Sequence, residues 1–224
     1  MGTTTTRFGL TLPDPADNVD ITKLNADFVA IDGALGFTPC TSGTRPSTPV
    51  SGQAIYESDT HRAYVWDTSG ITGVWQLVGS MTAMVATNKI VISTVALDPV
   101  TDLVLPVNAS TSYAVDGFIA YSSATAADAQ LGFLLPSGAT FLLTTGGQSI
   151  PTTGTSGPIE SATVTSGPLL LGGTGVGVTI AARLSGTITT STAGGVVQAT
   201  WAQVISTASN TVLNAGSWLT MRRI

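Results

Sequence analysis

The side chains able to do chemistry are few and widely spaced. The chain has one histidine, His61, one cysteine, Cys40, and two glutamates, Glu57 and Glu160. One His and one Cys cannot form a zinc ligand set within a chain, and only three His61 copies in a symmetric assembly could. A solvated hairpin tip is the better reading of His61. A Ser-His-Asp triad would have to use His61, and no Gly-x-Ser-x-Gly elbow accompanies it. Glycoside hydrolysis needs paired carboxylates, whereas the acids after residue 88 are Asp98, Asp102, Asp116, Asp128 and Glu160 alone. Gly172-Gly173-Thr174-Gly175-Val176-Gly177 lacks the Gly-Lys-Ser/Thr of a phosphate loop and reads as a turn or a close chain approach. Cys40 has no cation nearer in sequence than Arg45, so no activated thiol is implied. Asp14, Asp17 and Asp20 lack the further oxygen ligands and turn glycine of a calcium loop and read as helix-dipole partners. The expectation is a non-enzyme with no catalytic, metal or cofactor site.

Composition points to assembly instead. Charged residues make up 9% of the 224, against about 25% in ordinary globular chains. Between Ala129 and Ala182 the one ionisable side chain is Glu160. Solvent faces normally intersperse both signs of charge, so this stretch is expected to bury much of its outside against copies of itself. A hydrophobic content of 43% argues against disorder. The net charge of −5 argues against a nucleic-acid partner. No run of about 18 apolar residues suggests membrane insertion. No signal peptide is visible, and Gly2 with Thr6 fits the N-myristoylation pattern too loosely to carry a reading.

The elements that would position these groups fall into three parts: residues 1–36, 37–80 and 81–224. Residues 1–20 read as an extended arm, because Leu12-Pro13-Asp14-Pro15 opposes a helix. A helix is expected from Ile21 to about Leu35, capped by Asp20. Its apolar residues Ile21, Leu24, Phe28, Ile31 and Leu35 step by three and four, a two-heptad oligomerisation seam. That seam either packs on another protein or wraps with symmetry mates. Residues 37–50 are turn-rich and read as a linker. Three strands come next, Gly52–Ser58, Arg62–Asp67 and Trp75–Val78, with Tyr56, Tyr64, Trp66 and Trp75 as the expected core of a small hairpin module.

Arg45-Pro46, Gly52-Gln53, Ile55-Tyr56-Glu57, Asp59-Thr60, Tyr64-Val65-Trp66-Asp67 and Trp75 resemble a module of tail-fibre, minor-tail and other surface proteins of tailed bacteriophages. Leu12-Pro13-Asp14, Asn18-Val19-Asp20-Ile21, Leu24-Asn25, Phe28 and Ile31-Asp32 are similar to the N-terminal attachment segment of such proteins. Together they cover about residues 9–78. The resemblance implies a virion structural protein whose residues 1–36 dock on other virion proteins.

After a joint of small residues at 80–87 the chain alternates like about ten short strands, with a turn every 8–12 residues. The expected fold class is mainly β: a short helix, a small antiparallel hairpin sheet and a C-terminal β-sandwich or jelly roll. Tyr113, Val115, Ile119 and Tyr121 should share one buried face, and Trp201 and Trp218 should be core residues. The closing segments around Trp201 and Trp218 look like the end of trimeric, tumour-necrosis-factor-like jelly rolls on phage surfaces. That resemblance implies a homotrimeric fibre or spike of a virion with a host glycan or protein as the candidate target. The small polar, turn-forming composition of 122–128 and 145–158 makes them the candidate distal loops. Capsid decoration, as a head fibre without a receptor, and a carbohydrate-binding module are the alternatives. Arg222 and Arg223 are expected to meet scarce carboxylates near a subunit boundary.

Overall fold

A computed structural model describes residues 3–4, 11–12, 20–34, 36–68, 73–148 and 159–224. The chain divides into two compact units, Met1–Val78 and Gly79–Ile224. The fold is mainly β with one helix among the described residues, as the alternation of the sequence requires.

In the first unit, β1 (Thr3–Thr4) pairs antiparallel with β2 (Thr11–Leu12). The helix α1 spans Ile21–Ala34. Asp20 caps it as expected: its Oδ1 accepts from the Thr22 amide at 2.9 Å, satisfying one of the donors a helix start leaves free. Beyond the helix lies a four-stranded sheet: β3 (Thr38–Cys40), β4 (Ala54–Glu57), β5 (Arg62–Asp67) and β6 (Val74–Leu77). The stretch expected as a linker thus contributes a strand. β3 lies parallel to β4, with Cys40 opposite Glu57. Pro39 is tolerated because β3 is an edge strand, where a missing amide breaks no ladder.

The second unit holds an eight-stranded and a four-stranded sheet. Its strands are β7 (Ser80–Met84), β8 (Lys89–Val91), β9 (Asp98–Val107), β10 (Ser112–Ser123), β11 (Ala129–Leu134) and β12 (Thr140–Gln148). The remainder are β13 (Ile159–Val164), β14 (Leu169–Leu171), β15 (Gly175–Thr189), β16 (Gly195–Ala202), β17 (Thr211–Leu213) and β18 (Trp218–Arg223). The large sheet runs β13-β12-β15-β10. Along its other edge β10 meets β18 and then β17, which lead to β7 and β8 respectively. The small sheet runs β14-β11-β16-β9. Every pairing in the two sheets is antiparallel.

Period-two alternation places Tyr113, Val115, Ile119 and Tyr121 of β10 inward, and all four are buried as expected. Leu103, Leu131, Leu143, Ile188, Leu213, Leu219 and Trp201 complete the centre of the core. Tyr121 and Trp201 meet edge to face, with centroids 5.8 Å apart.

Other expected boundaries differ too. Ser80–Met84, read as a joint, is a strand whose Met81 and Ala83 point into the core. Val176–Leu184 and Gly186–Thr190, which alternation alone reads as two strands, are one, β15. Gly186 sits within it at φ +147°, and a Cβ there would lie 2.1 Å from the Leu142 carbonyl oxygen. The glycine allows close passage of β12 and ends nothing.

Candidate functional site

Of the residues nominated for chemistry, Cys40 and Glu57 face each other across β3 and β4. Among the described residues no three His, Cys, Asp or Glu side chains form a metal-holding group. His61 occupies the β4–β5 turn at φ 53°, its Nδ1 3.3 Å from the Tyr56 hydroxyl. Burial and the Glu57 charge push the Cys40 thiol up, away from thiolate. Glu57 is fully buried, accepting from Arg45 Nε and from the Thr60 hydroxyl at 2.7 Å. The Arg45 guanidinium also lies 4.5 Å from the Tyr64 ring centroid. Asp14, Asp17 and the Glu160 side chain lie outside the described residues.

The small sheet therefore has a different centre from the expected aromatic one. Tyr56 is exposed, because alternation turns it away from Ile55 and Glu57. Ile55 and Glu57 are the buried pair, and Tyr64, Trp66 and Trp75 are half-buried beside them. Trp66 and Trp75 are cross-strand partners with centroids 5.2 Å apart. Gly73 leaves room for this pair, since a Cβ there would come within 2.3 Å of the Trp66 ring. Asp59 accepts from the Ser42 hydroxyl at 2.6 Å, which holds its carboxyl below the usual range. The residues carrying the module resemblance are in this way one another's structural partners.

On α1 the seam residues Leu24 and Phe28 are 40% and 59% exposed, and Ile31 is half-buried. The Ile21 side chain and Leu35 lie outside the described residues.

In the second unit a buried polar cluster pins the glycine-rich segment. Asp128, at φ 50°, accepts from the Gly173 amide at 2.7 Å, and Tyr121 donates to the Gly172 carbonyl at 2.8 Å. A Cβ at Gly173 would meet the Ser123 and Ala124 carbonyls within 2.6 Å, so the expected close chain approach is present. Burial pushes the Asp128 carboxyl up against the opposing effect of the Gly173 N–H. It also raises the Tyr121 phenol, with help from the Asp128 charge. Ser122, Ser123, Ala127 and Asp128 are buried, so the loop expected at the distal surface exposes only Thr125 and Ala126. In the other expected loop, Thr145 is a buried strand residue, and residues 149–158 lie outside the described residues.

The outer face of the eight-stranded sheet is the distinctive surface. Strand register places Thr82, Thr220, Asp116, Ser185, Thr144 and Thr163 in one row across six strands. Hydroxyls bond along this row, Thr82 to Thr220 at 2.8 Å and Thr144 to Thr163 at 2.9 Å. The next row holds Met84, Trp218, Phe118, Arg183 and Gly146. On the other side lie Ser80, Arg222, Ala114, Thr187 and Leu142. Met84 and Leu142 are 59% and 50% exposed. Trp218 is half-buried on this face and is no core residue. Its parity with Thr220 and Arg222, opposite to Leu219 and Met221, was the signal in the sequence. The Arg183 guanidinium lies 5.6 Å from the Phe118 centroid and 6.0 Å from that of Trp218. The outer side of the small sheet is partly strapped by Val95–Leu97, with Gln130 Nε2 donating to the Val95 carbonyl at 2.9 Å.

No helix among the described residues is long and apolar enough to cross a membrane. No family model and no curated protein matches the chain. Among solved structures it is similar to the structure of the infectious bursal disease virus Gx strain at 13% identity and a TM-score of 0.29, over 71% of this chain and 38% of that one. The infectious bursal disease virus VP2 subviral particle matches at 12% identity and a TM-score of 0.19, over 80% and 50%. The Gt strain of the same virus matches at 14% and 0.19, over 72% and 44%. The chain spans half or less of the length of these structures.

Proposed function

We propose that the chain is a non-catalytic structural protein of a tailed-bacteriophage particle. It is a homotrimeric fibre or spike, anchored through residues 1–36, whose β-sandwich faces the host surface. The observation that supports self-association is the outer face of the large sheet, and the number three rests on the jelly-roll resemblance. The face presents hydroxyls, the exposed Met84 and Leu142, the half-buried Trp218 and Phe118, and the small Ala114 and Gly146, with only Asp116, Arg183 and Arg222 charged on the three rows. Several hydroxyls already bond across strands. Burying the face would therefore strand few polar groups, and its apolar content would favour association. The virion placement and the anchoring role rest on the module and arm resemblance.

Sedimentation velocity of the full chain at micromolar concentration tests the assembly. A three-chain species is expected, and a stable monomer would overturn the reading. Imaging of particles carrying a labelled chain distinguishes a tail spike from a capsid decoration. The half-exposed Trp218 beside Phe118 and Arg183 also favours a second reading, a glycan-binding platform. A glycan array with the wild type and Trp218→Ala tests it, since a platform loses its signal in the variant and a protomer contact shows none in either.

A further inference from the structure

We infer that Asp116 and Arg222 form an ion pair between protomers, the contact that sets how one copy registers on the next; this rests on the homo-oligomer reading above. Asp116 is exposed near the middle of the outer face, between Thr220 of β18 and Ser185 of β15. Arg222 projects from the same face two residues beyond Thr220, between Ala114 and Ser80. Among the described residues neither side chain has an ion pair or hydrogen bond within its own chain. Arg183, the other cation on these rows, is engaged by the Phe118 and Trp218 rings.

A contact between identical copies needs both halves of every polar interaction on each chain. Besides Arg183 over its aromatic rings, this face supplies one anion and one cation without an ion-pair partner in their own chain, and its remaining side chains are hydroxyls or apolar groups. Closing such a face with either charge unmatched would leave it dehydrated and alone, which strongly opposes association. Matching Asp116 of one copy to Arg222 of the next removes that penalty and rejects contacts slipped by a strand, where each charge would meet Thr, Ser or its like.

The test is a charge exchange read by native mass spectrometry and sedimentation, with circular dichroism to show that each variant folds. Asp116→Arg and Arg222→Asp should each weaken association by roughly thirtyfold or more. The double variant should recover it. Mixing the two single variants, one isotopically labelled, should give mixed trimers, because two of the three contacts are then complementary. If the double variant recovers but the mixture does not, the pair forms within one chain and the inference is overturned. It is equally overturned if both single variants associate like wild type, an outcome that leaves the homotrimer intact. A wild type that is monomeric removes the homotrimer itself. Should a reversal misfold, Asp116→Asn and Arg222→Gln give the same comparison, with unchanged association counting against the pair.

Discussion

Replacing Arg45 by Met should open the small sheet and leave the sandwich closed. Glu57 has no exposed surface, and among the described residues its ion-pair partner is Arg45. Stranding a buried carboxylate costs about 3–5 kcal/mol, and losing the cation over Tyr64 adds about 0.5–1 kcal/mol. Against this, about 40 residues of folded chain hold roughly 2–6 kcal/mol of net stability at ordinary values per residue. A loss of about 4 kcal/mol thus consumes most of what the sheet has. Hydrogen exchange read by mass spectrometry localises the effect. Protection in peptides from 38–77 should fall by roughly a thousandfold, and peptides from 79–224 should be unchanged. Arg45→Met with Glu57→Leu removes both partners and should recover most of the protection. Unchanged exchange in Arg45→Met, or a double variant no better than the single one, would refute the reasoning.

Gly186→Ala should destabilise the second unit by about 3 kcal/mol or more, combining a clash with the Leu142 carbonyl and a strained φ; a urea midpoint equal to wild type would contradict it. Asp128→Asn keeps an acceptor for the Gly173 amide and removes a titration. Because burial raises the native carboxyl, the folded chain holds that proton more tightly than the unfolded one. The stability is therefore greatest below the ordinary aspartate range of about 4 and is lost as pH rises through the raised value. Urea midpoints from acid to neutral pH should fall less steeply in the variant, and parallel curves would argue against it. Asp20→Ala should cost α1 about 1 kcal/mol, read as faster amide exchange at Thr22 and Lys23.

Much of the fold was legible because alternation is local. Tyr113, Val115, Ile119 and Tyr121 emerge from period two and flanking turn residues alone. The misses arise where a partner distant in sequence decides. Thr38-Pro39-Cys40 looks like linker until β4 offers a parallel edge, and Ser80–Met84 looks like a joint until β18 pairs with it. Ser185-Gly186 resembles a turn when the spacing to Leu142 is unknown. The candidate face was foreseen only as missing charge. Its rows depend on register across six strands, and no single strand encodes that.

The pairing of β7 with β18 also sets a timetable. The bond between the Thr82 and Thr220 hydroxyls joins residues 138 positions apart. At about 5–20 residues per second, a ribosome needs roughly 7 to 28 s to deliver the second partner after the first. Throughout that interval Met81 and Ala83 have no strand beside them, and β10 lacks its neighbour along the edge that β18 will fill. The large sheet therefore cannot be built progressively from its N-terminal strands. The pairing of β18 with β7 and β10 is a late step of high contact order, slow by the standards of local folds.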